Sequence, residues 1–267
     1  MDTENKKKED IPVVWYQGAG CSGCAVSVLN AVSPNVKEIL LAELAPGKSV
    51  NLLFQPTIMA AGGELATRIL DKVPERPGYV LILEGALQEG EIGERFCKLV
   101  PPSIMVIALG TCASFGGIPK SAPNPGGCRS AGECLKELNP DKPLINIPGC
   151  PPHPDWFSGT VFHVLYKGVP DLDSLNRPRL FFKGLVHESC ERRPFFDKGK
   201  FARNFNEEGC LFEVGCKGPY TNSDCAIRSW NDRINWCVQN GHPCLGCTEP
   251  EFPEVLAPFY KPLKIEK

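Results

Sequence analysis

Apolar residues in the first 150 positions come in short, unbroken runs. Pro12-Val-Val-Trp-Tyr-Gln17, Val50 to Phe54, Tyr79-Val-Leu-Ile-Leu83, Ser103 to Leu109 and Leu144 to Ile147 do not alternate with polar residues. Short runs of this kind, rich in β-branched and aromatic side chains, predict strands covered on both faces. Ala25 to Ala31, Ala60 to Lys72, Ile92 to Val100 and Trp156 to Tyr166 instead have helical composition, although Gly62-Gly63 weakens the start of the second. Strand, glycine turn, functional residue and helix thus recur in order, which predicts an α/β fold with a parallel sheet. In open parallel sheets, ligands sit beyond the carboxyl ends of the strands. Cys21, Cys24, Cys112 and Cys150 all follow such ends, so residues far apart in sequence can meet on one sheet edge.

The pattern lapses after Tyr166. Residues 167–186, with Pro170, Pro178 and Gly184, read as a linker. From His187 to Glu249 no long segment keeps a period of 2 or 3.6, and seven cysteines and two histidines fall among Gly, Pro, Asn and Asp. Such a stretch buries too little apolar surface to offset its ordering entropy. Thiolates with an occasional imidazole are the ligands of Fe–S clusters and zinc, so metal is expected to organise this region. The expected organisation is a flexible, mixed-charge tail over 1–10, an α/β domain over 11–170 and a cluster-organised domain over 185–267.

Composition removes several classes. A hydrophobic share of 42% with 22% charged residues is that of an ordinary soluble protein, and a net charge of −2 leaves no footprint for nucleic acid or an anionic membrane. No apolar run approaches the roughly 18 residues of a membrane span. The N-terminus lacks the apolar segment of a secretory signal. As written the chain reads as cytoplasmic, or as periplasmic if a precursor signal has been removed. Fourteen cysteines are many, but the chain is too long and too rich in regular core for a small disulfide scaffold.

Spacing leaves the ligand sets open. Cys21-x-x-Cys24 alone suits a redox dithiol or half a zinc site. Cys225, Cys237, Cys244 and Cys247 can form a four-thiolate set, and His187, Cys190, Cys210 and Cys216 a set with one imidazole, but four zinc ligands can be drawn from the same residues. His242 is a further candidate, although a histidine before proline is more often a loop residue. His153, His163, Cys97, Cys128 and Cys134 lack ligand-like spacing, and Cys97 reads as a buried small apolar side chain. Glu84, at a strand end, reads as a carboxylate that supports metal ligands or handles protons, or equally as a satisfied helix cap.

Taken together, the motifs resemble the small subunit of nickel–iron hydrogenases. They are Cys21-Ser-Gly-Cys24, Glu84-Gly85, Gly110-Thr-Cys112-Ala-Ser, Ile147-Pro-Gly-Cys150-Pro-Pro-His-Pro, His187-Glu-Ser-Cys190, Gly215-Cys-Lys-Gly-Pro219 and Gly241-His-Pro-Cys-Leu-Gly-Cys247. The resemblance implies a flavodoxin-like N-terminal domain followed by an irregular cluster-binding domain. It implies a proximal 4Fe–4S cluster on Cys21, Cys24, Cys112 and Cys150, and a medial cluster on Cys225, Cys237, Cys244 and Cys247. A distal 4Fe–4S cluster would lie on His187, Cys190, Cys210 and Cys216. It implies no catalytic residue in this chain: hydrogen chemistry belongs to a nickel–iron centre on a large subunit, and an external redox partner meets the distal cluster.

Common members have proline where Cys237 stands and carry a three-iron medial cluster. A cysteine here resembles the nickel–iron–selenium branch and implies a complete medial cube. Oxygen-tolerant members add two cysteines near the proximal cluster, at positions that are Gly23 and Gly117 here. The family's usual export signal and membrane anchor are not seen. Alternatives from other classes are an Fe–S subunit of a different oxidoreductase and a structural zinc protein.

Overall fold

A computed structural model describes residues 9–41, 47–254, 256–257 and 259–262. Five strands form one parallel sheet: β1 (Glu9–Gln17), β2 (Lys48–Phe54), β3 (Tyr79–Glu84), β4 (Ser103–Leu109) and β5 (Leu144–Ile147), in the order β2-β1-β3-β4-β5. This is the flavodoxin-like order, whose connections reverse between β1 and β3. Gln17 lies opposite Glu84 across that reversal.

All six residues of β3 are buried, as an unalternated strand requires. Successive side chains along β1 go to opposite faces. Val14 and Tyr16 join Leu81, Leu83, Phe96 and Leu135 in one core. Val13 and Trp15 join Ile82, Ile107, Trp156 and Phe157 in the other. Helices α1 (Gly23–Leu29), α2 (Val36–Leu41), α3 (Gly63–Lys72), α4 (Glu91–Leu99), α5 (Thr111–Phe115), α6 (Gly117–Lys120), α7 (Ala131–Leu138) and α8 (Pro154–Lys167) connect the strands or follow them.

The expected strands and the four expected helices are present within a few residues. The hydrophobic pattern passes over α2, α5, α6 and α7. For α7 the sequence does hold a signal: Ser130 accepts from the Glu133 backbone while the Glu133 side chain accepts from the Ser130 backbone, a capping box written S-x-x-E. The N-terminal tail is shorter than expected. Glu9 and Asp10 already belong to β1, where the ladder to Lys48 and Ser49 holds them, and residues 1–8 lie outside the described part.

The linker reading of 167–186 is corrected. Helix α9 (Arg179–Phe182) places Phe181 and Phe182 in the second core, and Arg177 is 4% exposed. Two adjacent phenylalanines are too short a run to show a period, so only the turn residues around them were legible.

Beyond this point secondary structure is sparse. Helices α10 (Arg193–Asp197) and α11 (Cys225–Arg228) are about one turn each, joined by 3-10 turns at Val186–Ser189, Leu211–Val214 and Gly218–Tyr220. Val186, Ala202, Leu211, Val214, Trp236 and Val238 make a small apolar core, and Cys190, Cys216, Cys225 and Cys244 pack against it. The region therefore has an apolar nucleus of its own, lined by thiols.

Candidate metal centres

The carboxyl edge of the sheet delivers the first thiol group. Cys21 and Cys24 follow β1, Cys112 lies in the first turn of α5 after β4, and Cys150 follows β5. They are electrostatic neighbours: Cys24 lies within reach of Cys21, Cys112 and Cys150, and Cys112 of Cys150 and Cys21. Burial, reinforced by Glu84 and the other three thiols, lifts Cys24 strongly, and burial pushes Cys112 up to about 11. Gly110 precedes Cys112 with a φ of 88°, and a Cβ there would collide with the Cys24 sulfur. Glycine at that position is what lets β4 turn while leaving room for the thiol.

Glu84 braces the turn and also lies within electrostatic reach of Cys24. Its Oε1 accepts from the Ala25 backbone in the first turn of α1 at 2.9 Å, and its Oε2 from the Trp15 indole at 2.8 Å. Both carboxylate oxygens are thus engaged in fixing the turn that carries Cys21 and Cys24. Gly23 and Gly117 also border this group. A Cβ at Gly23 would lie 3.2 Å from the Cys21 sulfur, and one at Gly117 3.1 Å from that of Cys112.

A second group comprises Cys225, Cys237, Cys244 and Cys247. Cys225 interacts with Cys237, Cys247 with both, and Cys244 with Cys247 and Cys225. Burial pushes Cys225 up to about 12, and raises Cys244 and Cys247 strongly. A third group holds Cys190, Cys210 and Cys216, which are mutual electrostatic neighbours, with Cys190 pushed up to about 12 by burial. His187 joins through Gly218, whose Cβ position is 3.4 Å from the Cys216 sulfur and 3.7 Å from the His187 backbone nitrogen. Phe196 packs edge-on to the His187 ring at 4.6 Å. Burial, with help from Arg193, lowers the His187 pKa and so favours the neutral imidazole that a metal needs.

The groups adjoin in an order unlike their order in sequence. The Cys247 sulfur accepts from the Cys150 backbone, and Thr111 donates to the Cys247 carbonyl, so the second group abuts the first. The Cys244 backbone donates to the Cys216 sulfur at 3.4 Å, so the second also abuts the third. Around these loops sits a buried ionic brace. Arg177 binds Asp173 at 2.7 Å and Glu249 at 3.0 Å, and Glu249, two residues past Cys247, accepts from the Asn222 backbone at 2.5 Å. Burial raises Glu249 against the opposing pull of Arg177. Lys217 is also buried, and burial lowers its pKa.

The donor chemistry, thiols with one imidazole, is that of iron–sulfur clusters and of zinc. Among the described residues, no three His, Cys, Asp or Glu side chains enclose a hole for one metal ion. A lone zinc needs its donors at about 2.0–2.3 Å from one point, whereas a four-iron cube holds its thiolates further apart. Three buried side-chain atoms among the described residues lack a hydrogen-bond partner, and two of them are His187 Nε2 and Ser223 Oγ. Buried polar atoms are normally satisfied. His187 belongs to the third group, and the Ser223 hydroxyl lies within hydrogen-bonding reach of the Cys225 sulfur, whose charged form it favours.

The remaining candidates have other duties. His153 caps α8, accepting from the Asp155 backbone at 3.0 Å with its second nitrogen 2.7 Å from the Ser229 carbonyl. His163 bonds to the Gly168 carbonyl, and His242 to Pro243 and Tyr260. Cys128 and Cys134 are buried, and Cys97 is half-buried rather than buried as expected.

Comparison with known proteins agrees with this architecture. Residues 182–260 match the family that describes the C-terminal part of the NiFe/NiFeSe hydrogenase small subunit, and residues 21–164 match NADH ubiquinone oxidoreductase, 20 Kd subunit. The chain is 41% identical to the periplasmic NiFeSe hydrogenase small subunit of Desulfomicrobium baculatum, over 97% of this chain and 89% of that one. It is 40% identical to the periplasmic NiFe hydrogenase small subunit of Solidesulfovibrio fructosivorans, over 93% of this chain and 81% of that one. The solved D. baculatum NiFeSe hydrogenase superposes with a TM-score of 0.86 at 40% identity, covering 95% of this chain and 99% of that one. The actinobacterial-type NiFe hydrogenase of Ralstonia eutropha H16 superposes at 0.88 with 30% identity, covering 96% and 83%. No helix among the described residues is long and apolar enough to cross a membrane. On fold, thiol placement and likeness across nearly its whole length, the chain belongs to the small-subunit family of the NiFe and NiFeSe hydrogenases.

Proposed function

We propose that the chain relays electrons through three 4Fe–4S clusters between a nickel–iron or nickel–iron–selenium centre on a large subunit, where H2 ⇌ 2H⁺ + 2e⁻ takes place, and an external redox partner. Cys21, Cys24, Cys112 and Cys150 hold the proximal cluster. Cys225, Cys237, Cys244 and Cys247 hold the medial one. His187, Cys190, Cys210 and Cys216 hold the distal one. The observation that carries this reading is the contact sequence of the ligands, Cys150 to Cys247 and Cys244 to Cys216, which makes one unbroken path.

When bound, such clusters supply one-electron redox steps at potentials set by ligand type, hydrogen bonds to sulfur and burial. The protein supplies the rest. Burial raises the pKa of thiols such as Cys24 and Cys225, so these give up a proton on becoming ligands. Backbone donors at Cys150 and Cys244 point at sulfur and favour the thiolate. Neutral His187 in place of a fourth thiolate lowers the negative charge at the distal site. The domains proposed are 11–170 for the proximal cluster and 185–267 for the other two.

The partner surface lies at the sheet edge. A groove of about 700 Å³, lined by Gly23, Val26, Ser27, Pro151, His153 and Trp230 among others, opens beside the first thiol group. Val26 and Leu29 on α1 are 52% and 41% exposed there or next to it. The large subunit seats on this edge.

Anaerobic co-purification with the large subunit, followed by iron and sulfide analysis, tests the function. Four irons in each of three cubes give about twelve per small subunit, with matching acid-labile sulfide. Zinc without sulfide, or an undecorated chain that never engages a large subunit, would overturn it.

A further inference from the structure

Lys217 is 1% exposed, one of the largest fully buried side chains in the protein. Among the described residues its ammonium makes one hydrogen bond, to the Lys261 carbonyl at 2.6 Å, and no ion pair with a carboxylate. A cation this buried is costly unless something anionic neutralises it. The surroundings name the anion. Lys217 follows Cys216, and its backbone donates to the Cys244 carbonyl at 2.7 Å. Its Cβ lies 3.4 Å from where a Cβ would stand on Gly246, inside the Cys244–Cys247 loop. The Lys217 backbone therefore sits at the junction where the Cys244 backbone meets the Cys216 sulfur, and its ammonium lies within electrostatic reach of the Cys216 thiol.

The other cations near the third group differ in kind. Arg193 pairs with Asp197 at 2.8 Å in an exposed bridge, and Arg192 donates to the Glu207 and Gly209 carbonyls. Water screens an exposed pair, whereas a charge as buried as Lys217 is screened little.

We infer that Lys217 is a fixed positive charge between the medial and distal clusters that raises the reduction potential of both, an inference that rests on the cluster assignment proposed above. A nearby cation stabilises the reduced, more negative form of a cluster, so its loss lowers the potential. The competing role is a tie between the Cys216 turn and the C-terminal segment at Lys261. A neutral donor performs that role equally well.

The test is a potentiometric titration, followed by electron paramagnetic resonance, of the anaerobically purified heterodimer. It compares wild type with Lys217→Gln, Lys217→Met and Lys217→Arg, with iron counted in each. Gln keeps a donor for the Lys261 carbonyl and removes the charge. In Lys217→Gln and Lys217→Met the medial and distal clusters should fall in potential while the proximal one holds. At the wild-type midpoint the oxidised-to-reduced ratio should rise at least about tenfold, which is about 59 mV for one electron. Lys217→Arg should stay near wild type. Loss of iron in Gln and Met but not in Arg would equally show that the charge is required. Unchanged potentials in fully loaded Lys217→Gln, or loss of iron in all three variants, would overturn the inference in favour of a tie or a packing role. A wild type without medial and distal clusters would overturn the cluster assignment itself, and is read before any variant.

Discussion

At the scale of single residues, three side chains carry separable duties. His187 has a buried nitrogen with no partner and a pKa lowered by burial, the state of an imidazole waiting for a metal. His187→Cys should keep a distal cluster and slow electron exit. Dye reduction should fall while hydrogen–deuterium exchange at the partner persists, and joint loss of both would contradict that division. In the proposed assignment Cys237 supplies the fourth medial thiolate, so Cys237→Pro should create a three-iron paramagnetic signal that freshly isolated wild type lacks. Glu84 satisfies the Trp15 indole and the Ala25 backbone at once. In Glu84→Gln one of these donors would face an amide N–H, costing about 1–3 kcal/mol. The thermal midpoint should fall with iron content unchanged, and an unmoved melt would argue that the carboxylate does not brace the turn.

At the scale of elements, the molecule has two kinds of order. The sheet is held by two apolar cores, one on each face. The C-terminal loops have a six-residue core, a buried ion pair and the proposed clusters. Cys190→Ala or Cys216→Ala should lose the distal cluster and raise protease sensitivity across residues 187–250, leaving the sheet protected. Equal iron and equal protection in both variants would refute cluster-dependent order. Arg177 ties the α9 segment to the loop beyond Cys247. Arg177→Met strands Glu249 without a counterion at about 8% exposure, which costs about 3–5 kcal/mol. Denaturant unfolding of the loaded protein reads this directly.

At the scale of the whole molecule, the proposed relay needs a partner at one end. The groove lined by Gly23, Val26 and Pro151, with Leu29 exposed on the same helix outside it, is the proposed place for it. An obligate interface of about 2,000 Å² or more is expected there. The double substitution Val26→Asp, Leu29→Asp puts two charges into that surface and should abolish co-purification with the large subunit while the small subunit stays folded. Undiminished complex yield would move the interface elsewhere.

Much of this is legible in the chain itself. Unalternated runs at 12–17, 50–54, 79–83, 103–109 and 144–147 specify strands because a segment buried on both faces has no polar side to show. Glycine turns followed by Cys21, Cys112 and Cys150 place the thiols at one edge because parallel strands all end on the same side. Elements without an apolar period are not legible: α5 and α6 are too short to repeat, and α9 buries two phenylalanines that no pattern flags. The grouping of the C-terminal ligands is not legible from spacing either, since any four of those residues satisfy a tetrahedral count. The motifs alone suggest the grouping through resemblance. Which groups adjoin, and that the residues latest in sequence lie between the other two, follows from Cys247 meeting the Cys150 backbone and Cys244 meeting Cys216. The sequence determined the sheet and its thiol edge because hydrophobic burial is written locally. The path across the ligands was decided by tertiary structure, because loops without a period take their positions from contacts made far along the chain.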